Sequence, residues 1–202
     1  EGPQRFEWVH RRVDNEETFT NEIILSPIVW QGQSVLQALL RDISARKREE
    51  DRERQRQDVL ERLIQGEKLA SILESIALNV ERGHPGVLCS ILLLDETGKH
   101  WLIGAAPNLP DIYHTAIHGV EIGPTDTNSL LGQRQIIEDI RQHPEWAACI
   151  DTTDHWRFNA CWLEPIIGLH HKLLGNLMLY HPQPLYPSES DEELIQHIAR
   201  LC

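Results

Sequence analysis

Eleven histidines, four cysteines and 31 carboxylates give this 202-residue chain ample side chains for metal or nucleophilic chemistry, so spacing decides what they can do. Cys89, Cys149, Cys161 and Cys202 form no C-x-x-C pair, and Cys89 and Cys161 stand in apolar, strand-like runs. Thiols placed this way are expected to be buried, reduced and slow to ionise. That usage points to a reducing compartment, the cytoplasm. His114 and His118 are four residues apart, but Gly119 follows at once and no cysteine or carboxylate completes a ligand set. His170 and His171 fall in a polar connection between two strands. Asp139, with His143, Pro144 and Trp146 after it, reads as a strand-to-helix corner in which Asp139 caps the helix or touches a ligand. Glu164 interrupts an apolar strand beside Pro165, which strand alternation and a place facing a pocket explain equally well. No nucleophile with a base and an orienting group is visible, nor a P-loop, nor a Gly-x-Gly-x-x-Gly loop. Aromatic side chains are the remaining resource: Trp101, Tyr113, Trp146, Trp156 and Trp162 crowd into the second part of the chain. They serve either as core or as walls of a small-ligand cavity, which is typically apolar with a few polar anchors.

Charge narrows the partners. The net charge is -12, and residues 67–202, with 8 bases against 18 acids, carry most of it. A part this acidic is a poor match for nucleic acid or for an anionic membrane. No apolar run approaches the length of a membrane span. The chain opens on Glu1-Gly2-Pro3-Gln4 without an initiator Met and stops at Cys202 within a helical pattern, so the expectation is a piece of a longer protein.

Three strands are expected in residues 5–43, with turn signals at Asp14-Asn15 and Gln31-Gly32. Pro27 places the middle strand at an edge, or bulged, at that point. Three such strands with no covering helix leave a face exposed, and something preceding Glu1 is expected to complete the sheet. From Arg46 to Asp58 the chain holds six bases, five acids, two glutamines and no apolar side chain. It is a solvated connector or a stiff helix, with Arg46–Glu50, Lys47–Asp51 and Glu50–Arg54 at helical spacing. Beyond Val59 the pattern turns helical, through Leu60, Leu63 and Ile64, with Gly66 as an interruption, and then Leu69 to Val80. Strands follow over Val87–Leu94 and His100–Ala105, a short helix over Asp111–Ile117, and a short strand over Gln135–Glu138. Pro144–Cys149 reads as a turn of helix. A strand pair over Cys161–Ile167 and Leu174–His181 precedes a final helix that Ser188 caps. The fold class is α+β, an antiparallel sheet between helical layers.

Two resemblances give these elements names. Phe6 to Arg12, Ile23 to Pro27 and Val35 to Lys47 resemble the last three strands of a PAS domain, closing on Asp42-Ile43-Ser44-x-Arg46-Lys47. By that resemblance Asp42 and Ser44 anchor the output helix, and Ser44 is suited to accept from a free N–H of its first turn. The second resemblance is to the GAF family. It rests on Leu69 with Ile72 and Leu73, Cys89 to Asp95, Gly104 to Pro110, Ile122 to Pro124, Ile137 to Ile140 with His143, Pro144 and Trp146, Ala160 to Trp162 with Glu164 to Ile166, and Leu174-Gly175. It implies three parts: the end of a PAS domain in residues 1–43, a charged connecting helix in 44–66 and a GAF domain in 67–202. The similar modules belong to multidomain bacterial sensors with cyclic-di-nucleotide synthase, phosphodiesterase or histidine kinase outputs, so the implied role is a sensory segment of a signalling protein. It implies a ligand cavity walled by Cys89, Trp101, Asp139, Trp146, Cys161 and Glu164, with no cofactor identified. The carboxylates there favour a neutral or cationic ligand. Homodimerisation through the connecting and terminal helices is expected from Leu60, Leu63, Ile64, Leu194, Ile195, Ile198 and Leu201. Thr125 to Gln133 departs from the family: it is short, nearly without Gly, and lacks the Cys that GAF enzymes reducing free methionine sulfoxide use there. Such an enzyme, or a dimerisation module without a ligand, stands as the alternative.

Overall fold

Alternating β-branched and aromatic residues carry about the first fifth of the chain through three antiparallel strands, β1 (Gln4–Arg11), β2 (Thr18–Trp30) and β3 (Gln33–Asp42). The computed structural model describes residues 2–13, 18–122, 132–142 and 158–202. Their order is β1-β2-β3, so β2 is central. Pro27 is nonetheless accommodated, because pairing with β1 ends at Leu25 and Pro27 has a neighbour only in β3, across from Leu36. At that residue the central strand is an edge, which is where a missing N–H costs least. Trp8, Trp30, Leu36, Leu39 and Leu40 of this sheet are exposed.

Helix α1 (Ser44–Ile64) follows and buries none of its residues. Its anchoring differs from the expectation. Asp42 Oδ1 accepts from the Ser44 N–H at 2.9 Å, while the Ser44 hydroxyl accepts from the Thr20 N–H at 2.9 Å and so ties the helix start to β2. The Arg46–Glu50 pair forms at 3.0 Å, but Lys47 reaches Glu7 of β1 at 2.8 Å rather than Asp51. The chain divides into two compact units, Glu1–Asp58 and Val59–Cys202.

In the second unit α1 ends in a Schellman turn: the Glu67 N–H bonds the Arg62 carbonyl and the Gly66 N–H the Leu63 carbonyl, with Gly66 at φ +77°. Arg62 also donates to both carboxylate oxygens of Glu67, at 2.7 and 2.6 Å, and to the Ser75 hydroxyl. This fixes the corner between α1 and α2 (Leu69–Gly83). Ile72, Leu73, Ile76, Ala77 and Val80 give α2 a buried stripe. Its four larger side chains are worth about 6–12 kcal/mol of gross burial, against a few tenths for each surface ion pair. Packing therefore docks α2.

A six-stranded antiparallel sheet follows in the order β6-β5-β4-β9-β8-β7. Its strands are β4 (Leu88–Leu94), β5 (His100–Ala105), β6 (Val120–Glu121), β7 (Gln135–Ile137), β8 (Ala160–Ile167) and β9 (Leu173–His181). Helix α3 (Asp111–Ile117) lies between β5 and β6 in sequence, and α4 (Glu189–Leu201) ends the chain. Ser188 caps α4 in a reciprocal capping box with Asp191. Gly175 is required where it stands, since a Cβ there would lie 2.0 Å from the Leu92 carbonyl oxygen of the adjacent strand.

Strand alternation sends side chains to two distinct layers. Cys89, Ile91, Trp162, Leu177 and Leu179 pack with α2 and α4. Leu92, Cys161, Leu163, Met178 and Tyr180 pack with Tyr113 of α3, with Leu109 before it and with Ile140. Among the described residues, no helix is long and apolar enough to cross a membrane.

Candidate functional site

The layer under α3 holds a polar centre that apolar strands rarely carry. Ser90, fully buried in β4, points into it, as do Tyr113 of α3 and Tyr180 of β9. Ser90 Oγ lies 2.8 Å from the Tyr113 hydroxyl and 3.5 Å from that of Tyr180. The Tyr180 hydroxyl is 3.0 Å from the Tyr113 hydroxyl and 3.4 Å from Met178 Sδ. Phe158 packs on Tyr180, with ring centroids 5.6 Å apart. Burial pushes the ionisation of both tyrosines upward, so both stay neutral donors at physiological pH. Further along β9, Asn176 faces the same layer and is buried; its Oδ1 has no hydrogen-bond partner among the described residues.

The residues singled out from the sequence separate across the sheet. Cys161 is fully buried in the α3 layer, and Trp101 packs at its margin. Cys89 is fully buried on the opposite face, against α2 and α4. Burial raises its thiol pKa well above the ordinary value, and the Glu81 carboxylate accepts from its backbone N–H. Glu164 alternates to that same side. There it accepts from Arg134 Nε at 2.5 Å, while Arg134 Nη1 reaches Glu192 of α4 at 2.7 Å. Asp139 caps the 3-10 turn Ile140–Gln142: Oδ1 accepts from the Arg141 N–H at 3.1 Å, and the Arg141 guanidinium and Gln142 amide bind the carboxylate. The Arg141 guanidinium holds its pKa down at about 2. Asp139 also lines an open groove of about 440 Å³ with Glu138, Gln142, Leu185 and Tyr186. Trp146, the Pro144–Cys149 turn and most of Thr125 to Gln133 lie outside the described residues.

Both carboxylates offered to a cation are thus already matched by arginines. The sequence pattern did not single out Ser90, Tyr180 or Asn176, although a lone Ser and a lone Asn inside apolar strands are a legible signal. The histidines do not assemble: among the described residues no three metal-ligating side chains form a group. His118 Nδ1 accepts from the Ile103 N–H at 3.3 Å. His181 lies 3.9 Å from the Trp162 ring on the α2–α4 side, and burial lowers its pKa to about 4.

Comparison with known proteins places this architecture. Residues 68–202 match the model of the GAF domain. The chain belongs to the GAF family. Over 170 residues it is 32% identical to the methyl sulfide methyltransferase-associated sensor of Methanosarcina acetivorans, a match covering 82% of this chain and 17% of that protein. The chain thus spans less than a fifth of that relative's length. Among solved structures, the phycocyanobilin-bound GAF domain of a cyanobacterial phytochrome aligns at 17% identity with a TM-score of 0.54, over 74% of this chain and 90% of that one. The fRMsr of Staphylococcus aureus, in its reduced form, aligns at 17% identity and a TM-score of 0.54, over 74% and 91%. At such identities the two structures establish a shared GAF fold and nothing finer.

Proposed function

We propose that this chain is the sensory segment of a signal-transduction protein: the last three strands of a PAS domain, a connecting helix, and a GAF domain. The observation that carries the reading is the division of the GAF sheet into two unlike layers. One face holds a hydroxyl centre under α3, suited to a small ligand. The other holds α2, which follows the connecting helix, and α4, which follows the last strand. Membership in the GAF family and a relative named as a sensor support this role. Binding on the α3 face shifts the balance between two arrangements of a helix-linked homodimer, by as much as the ligand's affinities for the two differ. The output is a cyclic-di-nucleotide enzyme or a histidine kinase, and the setting is the cytoplasm. Cys161 and Trp101 are the members of the original set that this site uses. Cys89 and Glu164 belong to the transmitting face, and Asp139 acts as a cap.

The rival reading, a thiol reductase of free methionine sulfoxide, requires an ionisable thiol. Cys89 and Cys161 are both fully buried, and burial holds Cys89 in its thiol form.

The test is a small-molecule screen read by hydrogen exchange, with sedimentation alongside. A compound that protects Ser90 and Leu179 is expected to change exchange in α4 as well. Compounds that bind the α3 face and leave α4 untouched, or a protein that stays monomeric at tens of micromolar, where weak interfaces form, would refute the proposal.

A further inference from the structure

At the outer edge of the GAF sheet lies a recess that the α3 layer does not use. Strand β7 and the 3-10 turn Ile140–Gln142 form one bank of an open groove of about 440 Å³, and the strap between β9 and α4 forms the other. It opens on the α2–α4 side of the sheet, where Ile136 packs. The strap is built to keep its shape. Pro182, Pro184 and Pro187 each fix φ. Three hydrogen bonds hold the main chain between them: Asn159 Nδ2 donates to the Pro182 carbonyl at 2.6 Å, the Leu185 N–H to the Glu138 carbonyl at 3.2 Å, and Trp162 Nε1 to the Leu185 carbonyl at 3.1 Å. The side chains it presents are nonetheless left out of the core. Leu185 is 46% and Tyr186 61% exposed, and both line the groove. A fixed backbone that holds an apolar and an aromatic side chain in water loses little further freedom when a ligand covers them.

Charge decides what that ligand is. Glu138 is exposed in the groove, and its carboxylate has no hydrogen bond or ion pair among the described residues. The neighbouring charges are already matched: Asp139 by Arg141 Nε at 2.9 Å, and Arg134, at the start of β7, by Glu164 and Glu192. One uncompensated negative charge therefore remains, in a part of the chain with 8 bases against 18 acids, and an anion is repelled. A metal ion is poorly served, since among the described residues no three ligating side chains form a group. An organic cation suits every wall. Its head pairs with Glu138 and lies against the Tyr186 ring, and its alkyl stem covers Ile136, Pro184 and Leu185. We propose that this groove binds an alkylguanidinium or alkylammonium group, carried by a free amine or by an arginine or lysine side chain of another protein. The proposal goes beyond the sensory reading and does not depend on it.

The experiment titrates the full chain, labelled with ¹⁵N, with agmatine, with the capped tripeptide acetyl-Ala-Arg-Ala-amide, with neutral butylurea and with butyrate, and follows the backbone amide signals of Glu138, Leu185 and Tyr186. Agmatine and the tripeptide are expected to move these signals saturably, and butylurea and butyrate to leave them in place. Whichever cation binds more tightly identifies the source, free amine or protein segment. Glu138→Lys changes an exposed side chain, so the melting temperature and the rest of the spectrum are expected to stay as they are while the agmatine shifts disappear. Tyr186→Ala is expected to weaken agmatine binding roughly two- to fivefold, the worth of one exposed cation–π contact. Butylurea or butyrate shifting the signals as far as agmatine does, agmatine binding that survives Glu138→Lys, an unchanged affinity in Tyr186→Ala, or no saturable shift with either cation would each overturn the assignment. None of these outcomes bears on the coupling between the α3 face and α4, so the sensory reading stands or falls on its own test.

Discussion

The hydroxyl centre under α3 makes a sharp prediction, because its three groups are matched to one another and to Met178. Ser90, Tyr113 and Tyr180 are 0%, 1% and 3% exposed, so no water is at hand to replace a lost partner. Tyr113→Phe removes the shorter bond to Ser90 at 2.8 Å and the 3.0 Å bond to Tyr180, leaving the 3.5 Å contact between those two to carry both. Stranding a buried hydroxyl costs about 1–3 kcal/mol. For a chain of this length, 2 kcal/mol corresponds to a fall of about 4–8 °C in Tm. Tyr180→Phe and Ser90→Ala strand the remaining hydroxyls in the same way and are expected to cost a similar amount. The triple variant Ser90→Ala/Tyr113→Phe/Tyr180→Phe removes the three mutually bonded hydroxyls together. Its cost is therefore expected to be no greater than that of the worst single change, far below the sum of the three. Calorimetric melts of the four variants decide the matter. Costs that add would show that the three groups are independent core side chains and that no network exists. The same burial has a consequence at high pH. Both tyrosines have pKa values raised above 10.0, so from about pH 10 upward the unfolded chain releases protons that the folded one keeps, and stability falls. The triple variant is expected to lose the part of that slope that Tyr113 and Tyr180 supply.

Three further outcomes are expected. His181, with its pKa lowered from 6.5 to about 4 by burial, binds its proton more weakly in the fold; stability is expected to fall as pH drops from 6.5 toward 4, and His181→Gln to flatten that limb of a denaturation series. Arg134→Met leaves the half-buried Glu164 and Glu192 facing each other, and is expected to cost about 1–3 kcal/mol in urea unfolding; Glu192→Gln, which keeps the Arg134–Glu164 pair, should cost less. Cys89 should react with a thiol reagent only at the rate of unfolding, and free methionine sulfoxide should not turn over; turnover abolished by Cys89→Ser or Cys161→Ser would reverse the non-catalytic reading.

Element order was legible because period decides it. Residues 69–80 repeat at helical spacing, and β4, β8 and β9 are short apolar runs bounded by turn signals. The charged run could be read only as helix-compatible, since its stability comes from propensity and anchoring; the anchors, Glu7 and Thr20, lie some 25 to 40 residues away in sequence. The site was harder, and the reason is the sheet. Cys89 and Cys161 look alike in sequence, each in an apolar strand beside a polar or aromatic neighbour. One residue of register puts a side chain on the other face, and nothing local says which face of β4 matches which face of β8. The ladders through β9 settle it: Cys89 pairs with Leu179 on the helix side, while Cys161 pairs with Tyr180 on the α3 side.

That sorting also bears on how the two faces communicate. Packed side chains and hydrogen bonds both carry displacements between layers, and among the described residues Glu81 and Arg134 join the two layers by hydrogen bonds. Glu81 of α2 accepts from the Cys89 N–H at 2.9 Å with one oxygen and from the Asn108 amide with the other, joining a helix of one layer to the loop that leads into α3 of the other. Arg134, at the start of β7, grips β8 and α4 together, and three residues later Ile137 of β7 packs in the α3 layer. On the proposed sensory reading, a ligand that moved α3 or β7 would pull on α2 through Glu81 and on α4 through Arg134. Directional bonds such as these have discrete made and broken states, which is what a two-state sensor requires of the elements linking its site to its helices.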